Sequence, residues 1–286
     1  MADRAFAWPD GKRIAVAVTA MLETWSEGKA PPYGVQASGH NIRGVDHSGI
    51  AWGSYGGKVG VWRINALLSR HGLRGTFCVN ARCAEIFPDA VRALAEQGHE
   101  IAGHGYLQDE LMTYLAPDDE QATIRRCIDI LERATGQRPL GWIGPVTAFT
   151  EHTRRFLAAE KLLWHGDARD SDLPSVVETG AGPIVQIAGS DFTDNRTLRG
   201  NPLDIWEIYK ETFDYLRERE PPAFLALSMH CHYGGRPLVT AVFEKIFGYM
   251  RRHDDVWFAS FGDIARWVMD TQAGADTHAR RLLKGS

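Results

Sequence analysis

The chain of 286 residues is 44% hydrophobic and 24% charged, enough apolar material for one large core or two ordinary ones. A formal net charge of −4 excludes a broad basic surface for nucleic acid or anionic lipid, and the apolar runs fall short of bilayer length. The cysteines Cys78, Cys83, Cys127 and Cys231 form no CxxC pair, and no basic patch with a long apolar stretch opens the chain, so a reduced, cytoplasmic protein is expected.

Ile14 to Thr19 is a run of small and β-branched residues, the pattern of a strand covered on both faces. From Thr24 to Lys58 the sequence is rich in Gly, Pro, Ser and His and lacks periodicity, which predicts a long functional loop anchored by Tyr33, Trp52 and Tyr55. His40, Asp46 and His47 are candidate lid ligands within it. Val61, Ile64, Leu67 and Leu68 recur at helical spacing, Gly75 to Asn80 reads as a strand, and Pro88 opens a helix that stops at Gly98. Glu100 to Ala102 is the next strand. Acids at 118–120 then suit the first turn of a helix whose apolar face is Ile124, Cys127, Ile128 and Leu131, closed by Gly136.

Strands are predicted over 140–143, 162–165, 184–188, 224–229 and 256–260, with helices over 150–161, 202–219, 238–252 and 263–270, before a polar tail from about 272. Seven or eight strands, nearly each followed by a helix, imply parallel strands joined by βαβ crossovers. One unbroken alternation without a linker predicts a single α/β domain, a (β/α) barrel of seven or eight strands.

In such a barrel the chemistry sits just beyond the strand ends. Reading those positions gives Glu23, Asn80, His104, Gly144-Pro145, Asp167, Asp191 with Asp194, and His230 with His232. Carboxylates and imidazoles converging on one rim suit a metal-bound water or general acid–base hydrolysis. Alternation along an extended segment sets His230 and His232 on one side and Cys231 on the other, so Cys231 is expected to be buried filler. No G-x-S-x-G elbow or H-E-x-x-H helix is present.

The segments GGKVGVWR at 56–63, HGLRGTF at 71–77, GHEIAGHG at 98–105, GQRPLGW at 136–142, HCHYGGRP at 230–237 and HDDVWFA at 253–259 resemble, in that order, the polysaccharide deacetylase (NodB-homology) family. The resemblance runs from about Gly11 to Trp267 and looks nearest to the branch holding cofactor-independent allantoinase and related amide and imide hydrolases. It implies a distorted (β/α) barrel that hydrolyses an amide. It also implies a divalent metal held by an Asp and two His, a second Asp as base, and a late His as acid. Here the pattern departs. Met21 stands at the base position, Glu23 is left to replace the metal-ligand acid, Gln108 occupies the second histidine's place, and Ile143 stands where polysaccharide-cleaving members have Arg. His230 matches the late acid, and Asp167 an acid beyond the fifth strand.

The expected chemistry is hydrolysis of a small non-peptide C–N bond. Glu23 would activate water, alone or through a divalent metal such as zinc shared with His104; a carboxylate serves as base near neutral pH if partial burial raises its pKa. His230 would protonate the leaving nitrogen or steady the oxyanion, and Asp167 would orient it. Asn80, Tyr106, Trp142 and His232 are expected to contact substrate, although Trp142 could equally pack in the core. A metal-dependent N-deacetylase of an acetylated sugar or amine and a catalytically degenerate ligand-binding barrel are the alternatives. The expected partner is a small molecule, with no nucleic acid or membrane, and relatives that associate imply a homo-oligomer.

Overall fold

A computed structural model describes residues 6–34, 44–271 and 282. Its centre is strand β1 (Ile14–Leu22), buried along all nine residues, as a run apolar on both faces must be. One edge of β1 pairs over its whole length with β8 (Ala223–His230). The other edge is shared between β9 (Val256–Phe258), beside Ile14–Val16, and β2 (Thr76–Val79), beside Thr19–Leu22. The ladder continues in parallel through β3 (Glu100–Gly103), β4 (Gly141–Trp142), β5 (Trp164–His165) and β7 (Pro183–Gln186).

Register decides what happens at the rim. Met21 lies beside His230 and Leu22 beside Val79, while Val79 lies beside Gly103. Neighbouring parallel strands therefore end level, and the residues just past them (Glu23, Asn80 and His104) gather at one end beside His230. Helices α2 (Val61–Arg70), α3 (Ala81–Ile86), α4 (Pro88–Glu96), α5 (Pro117–Thr135), α6 (Thr153–Ala159), α7 (Asp204–Arg219), α8 (Pro237–Met250) and α9 (Phe261–Thr271) cover the sheet. The predicted faces are the buried ones: Val61, Ile64, Leu67 and Leu68 on α2, and Ile124, Cys127, Ile128 and Leu131 on α5. Each fully buried Leu or Ile contributes about 1.5–3 kcal/mol. Glu120, in the first turn of α5 as expected, is buried and accepts from Thr150 and Thr153, tying α5 to α6.

Three features depart from the expectation. A strand, β6 (Ser175–Glu178), was not foreseen; it pairs antiparallel with β7 as an edge hairpin. The polar stretch 24–58 is part helix: α1 (His47–Tyr55), capped by the Asp46 side chain accepting from Gly49 N–H at 2.8 Å, runs into a π-helical turn at Gly56–Gly60. Asp46 is thus a cap and His47 the first residue of α1, while His40 and the tail, apart from Leu282, lie outside the described residues. Finally, the curled sheet is a distorted barrel with a seam. Among the described residues β7 and β8 do not pair, and the single parallel bridge Thr193–Ser228 brings the chain after β7 against β8.

Candidate active site

The carboxylate of Glu23 is 3% exposed and sits at the floor of a cavity of about 830 Å³ at the rim. Its Oε1 lies 3.4 Å from His104 Nε2 and 3.8 Å from His230 Nε2, and its Oε2 lies 3.6 Å from His232 Nδ1. Tyr33 closes the ring, its hydroxyl donating to Oε2 at 3.2 Å.

The imidazoles are oriented from behind. His104 Nδ1–H donates to the Ile143 carbonyl at 2.6 Å, so Nε2 faces Glu23. His230 is held twice by Asp194, whose Oδ2 accepts the backbone N–H at 2.7 Å and whose Oδ1 accepts the ring Nδ1–H at 2.6 Å. His232 is fully buried behind Glu23 against the rings of Trp25 and Trp52.

Electrostatics separate the roles. Burial alone would raise the Glu23 pKa, but the His230 charge and the His104 hydrogen bond outweigh it and bring it down to about 2. The raised pKa that partial burial would give a base is therefore not found. Burial likewise disfavours a charged His230, yet Asp194 and then Glu23 raise it to about 9. His232 goes the other way, to about 4, because desolvation dominates and the His230 charge repels a second one. At neutral pH the site holds a carboxylate, an imidazolium poised as an acid, and a neutral buried imidazole.

Several expected site residues do other work. Asp167 does not orient His230; its Oδ1 accepts from Gly144 N–H at 2.8 Å and its Oδ2 lies 2.9 Å from His165 Nε2. Asn80 is outside the cavity wall, accepting from Thr24 N–H at 2.9 Å and donating to the His104 carbonyl, which locks three strand ends together. Trp142 is fully buried in the core, its ring filling the space that Gly103 leaves by having no side chain. Tyr106 faces outward, bonded to Glu85 at 2.9 Å with Arg126 stacked on its ring. Met21, Gln108 and Ile143, three of the four departures from the family pattern, line the cavity with Glu23, the fourth. Cys231 is fully buried and its thiol pKa is pushed well up, chiefly by desolvation, so it is filler as expected.

Sequence reasoning missed Tyr33 as a site residue and missed the role of Asp194. Asp194 had been visible as a rim acid, but nothing local to it names His230, 36 positions away, as its partner.

The expected metal pair, Glu23 and His104, is tested by the same geometry. Among the described residues no three His, Cys, Asp or Glu are grouped so that they could hold an ion. Gln108 is a weak substitute for histidine, because its amide oxygen carries no full charge. The described donors do not fit a metal, and no step below is routed through one.

A buried acid–base pair at the mouth of a distorted (β/α) barrel defines a hydrolase site. Comparison with known proteins gives the family. The polysaccharide deacetylase family pattern matches residues 54–162. The fold is similar to that of a probable polysaccharide deacetylase from Pseudomonas aeruginosa PAO1, with 30% identity over 92% of this chain and 93% of that one and a TM-score of 0.82. It is equally similar to a solved allantoinase, with 30% identity over 92% and 93% of the two chains and a TM-score of 0.83. A peptidoglycan deacetylase of Helicobacter pylori is 22% identical over 257 residues, which is 76% of this chain and 86% of the relative. The chain belongs to the polysaccharide deacetylase family, hydrolases of carbon–nitrogen bonds other than peptide bonds.

Proposed function

We propose that the protein hydrolyses a small amide or cyclic imide, with Glu23 as base and His230 as acid. The observation that carries this reading is the Glu23 carboxylate facing a His230 imidazolium, Oε1 to Nε2 3.8 Å, with Asp194 behind the ring. Glu23 takes a proton from water as the oxygen bonds to the carbonyl carbon. His230 then gives its Nε2 proton to the leaving nitrogen as the C–N bond breaks. As His230 loses its charge, the largest influence lowering the Glu23 pKa is removed, so Glu23 holds the proton it has taken until the product leaves. Return of the proton from Glu23 to His230 resets the pair. His104 steadies Oε1, and Tyr33 steadies Oε2.

The likeness to an allantoinase, together with Gln108 and Ile143 in the cavity wall, supports a small cyclic or open amide. Four unpaired cysteines go with a cytoplasmic substrate. A second reading, N-deacetylation of a sugar or amine, is supported by the peptidoglycan deacetylase and probable polysaccharide deacetylase relatives.

Assay of a panel of cyclic ureides, linear amides and N-acetylated sugars tests both readings. Glu23→Gln and His230→Asn are expected to lower kcat by roughly 10²–10⁴ at temperatures where both variants remain folded. Acetate release with stoichiometric zinc supports the second reading instead. Full activity in both variants overturns the assignment.

A further inference from the structure

The cavity above Glu23 carries two arginines on its wall. Beyond the buried Glu23–His230 pair, the side chains of Arg169, Asp191 and Arg196 line it. Arg169 and Asp191 satisfy each other, since Arg169 Nη1 donates to Asp191 Oδ1 at 3.1 Å and to the Ser190 carbonyl at 2.9 Å. Arg196 is exposed to the cavity, and among the described residues nothing accepts from its guanidinium. Beside it, Asn195 spends its Oδ1 on the Thr193 hydroxyl at 2.5 Å, which leaves its amide hydrogens without an acceptor among the described residues. Among the described residues, then, Arg169 and His230 each have a carboxylate partner on or behind this wall, and the Arg196 guanidinium has none. A planar guanidinium offers paired N–H groups that match a carboxylate, and a concave wall strengthens the pairing.

Arg196 is also well placed to set distance. It stands on the one-turn helix Asp194–Thr197, whose first residue grips His230. That turn is braced by Thr197 Oγ1 donating to the Asp194 carbonyl at 2.8 Å and meeting the Tyr233 hydroxyl at 3.1 Å. A group held at Arg196 is thus held in fixed relation to the acid. A cavity of about 830 Å³ leaves room for an appended arm beside a small ring or amide.

We propose that Arg196 anchors a carboxylate on the substrate, so that the pocket selects amides or cyclic ureides bearing an acid arm over their neutral counterparts. This rests on the small-amide reading above and deepens it. The test is equilibrium binding, by calorimetry at low salt, of a matched panel of N-acyl amino acids, N-carbamoyl amino acids and hydantoin-5-acetic acid, each as free acid and as primary amide. At least one acid is expected to bind roughly 10-fold to 100-fold more tightly than its amide, as a charge-assisted hydrogen bond gives. Arg196→Gln should erase that ratio, and Arg196→Lys should keep part of it. No acid preferred over its amide in the wild-type protein, or a preference that survives Arg196→Gln, overturns the proposal. Turnover of the same panel is read separately: absence of Glu23-dependent hydrolysis strikes the catalytic reading and leaves the binding ratio to decide this one.

Discussion

Asp194 holds His230 at two points, accepting its backbone N–H at 2.7 Å and its ring Nδ1–H at 2.6 Å. The first contact fixes the end of β8; the second fixes the ring and its charge. Because the two carboxylate oxygens are used on one residue, the imidazole has a single tautomeric and rotational choice, with Nε2 turned to Glu23.

Replacing that clamp by its neutral shape should expose its electrostatic part. Asp194 is the largest influence raising the His230 pKa, against the burial that lowers it. In Asp194→Asn the alkaline limb of kcat/KM, expected near 9 in the wild type, should move down by a unit or more. Turnover at neutral pH should fall by roughly 10²–10⁴, as when other oriented histidines lose their carboxylate. A pH–rate profile in which the limb stays put while rates fall would make Asp194 a structural residue only.

The same groups set how stability depends on pH. His230 has a folded pKa of about 9 against an ordinary 6.5, so its contribution is complete below 6.5 and is lost as pH rises through 9. His232 and His99 are both lowered to about 4, chiefly by burial, so they oppose folding as pH falls from 6.5 through 4. Glu23, lowered to about 2, adds stability above 4.5 that is lost only as pH falls through 2. This cluster therefore places maximal stability near pH 6.5. Urea unfolding across pH should show it, with the alkaline decline flattened in Asp194→Asn and the acid decline flattened in His232→Asn.

Much of the frame was legible because burial writes itself into spacing: β1 as an unbroken apolar run, α2 and α5 as stripes at three and four residues. Parallel strands ending level then make Glu23, His104 and His230 neighbours. What escaped was non-local or locally disguised. The α1 helix is rich in Gly and Ser, poor helix formers, and is held by its Asp46 cap and by packing of Gly49 and Gly53 against Ala30, Pro31 and Trp25. Asp194 reaches His230 because the chain after β7 crosses the seam of the sheet to lie against β8, a contact no period in the sequence records. Asp167 and Trp142 sit at the right height but face the wrong way, toward Gly144 and the core.

Tyr33 gives a test of the second carboxylate oxygen. Its hydroxyl donates to Glu23 Oε2, and burial with the adjacent Glu23 charge keeps it firmly un-ionised. Tyr33→Phe removes a bond that favours the charged carboxylate, so the Glu23 pKa should rise and the acid limb of kcat/KM should move upward with it. Turnover should fall roughly 10-fold, the worth of one hydrogen bond to a charged group. A fall in rate with no movement of the acid limb would assign Tyr33 to packing against Trp25 and His232 instead.

Gly60 tests how the site is braced from beneath. It lies in the π-helical turn, and a Cβ there would stand 1.8 Å from the carbonyl oxygen of Cys231 and 2.8 Å from its carbon. That neighbour is backbone, in the turn between His230 and His232, and it cannot yield without carrying both imidazoles with it. Gly60→Ala should therefore cost at least about 1–3 kcal/mol in urea unfolding. It should also depress turnover at temperatures where the variant remains folded, because Nε2 of His230 leaves its position facing Glu23. Gly248, in α8 with nothing within 4 Å of an added Cβ, is the control. There the same substitution relieves a helix of its glycine and should leave stability unchanged or raise it by up to about 1 kcal/mol. Equal behaviour of the two variants would mean that the turn carrying the histidines is free to shift, and that the close fit between it and the π-helical turn has no part in holding the site.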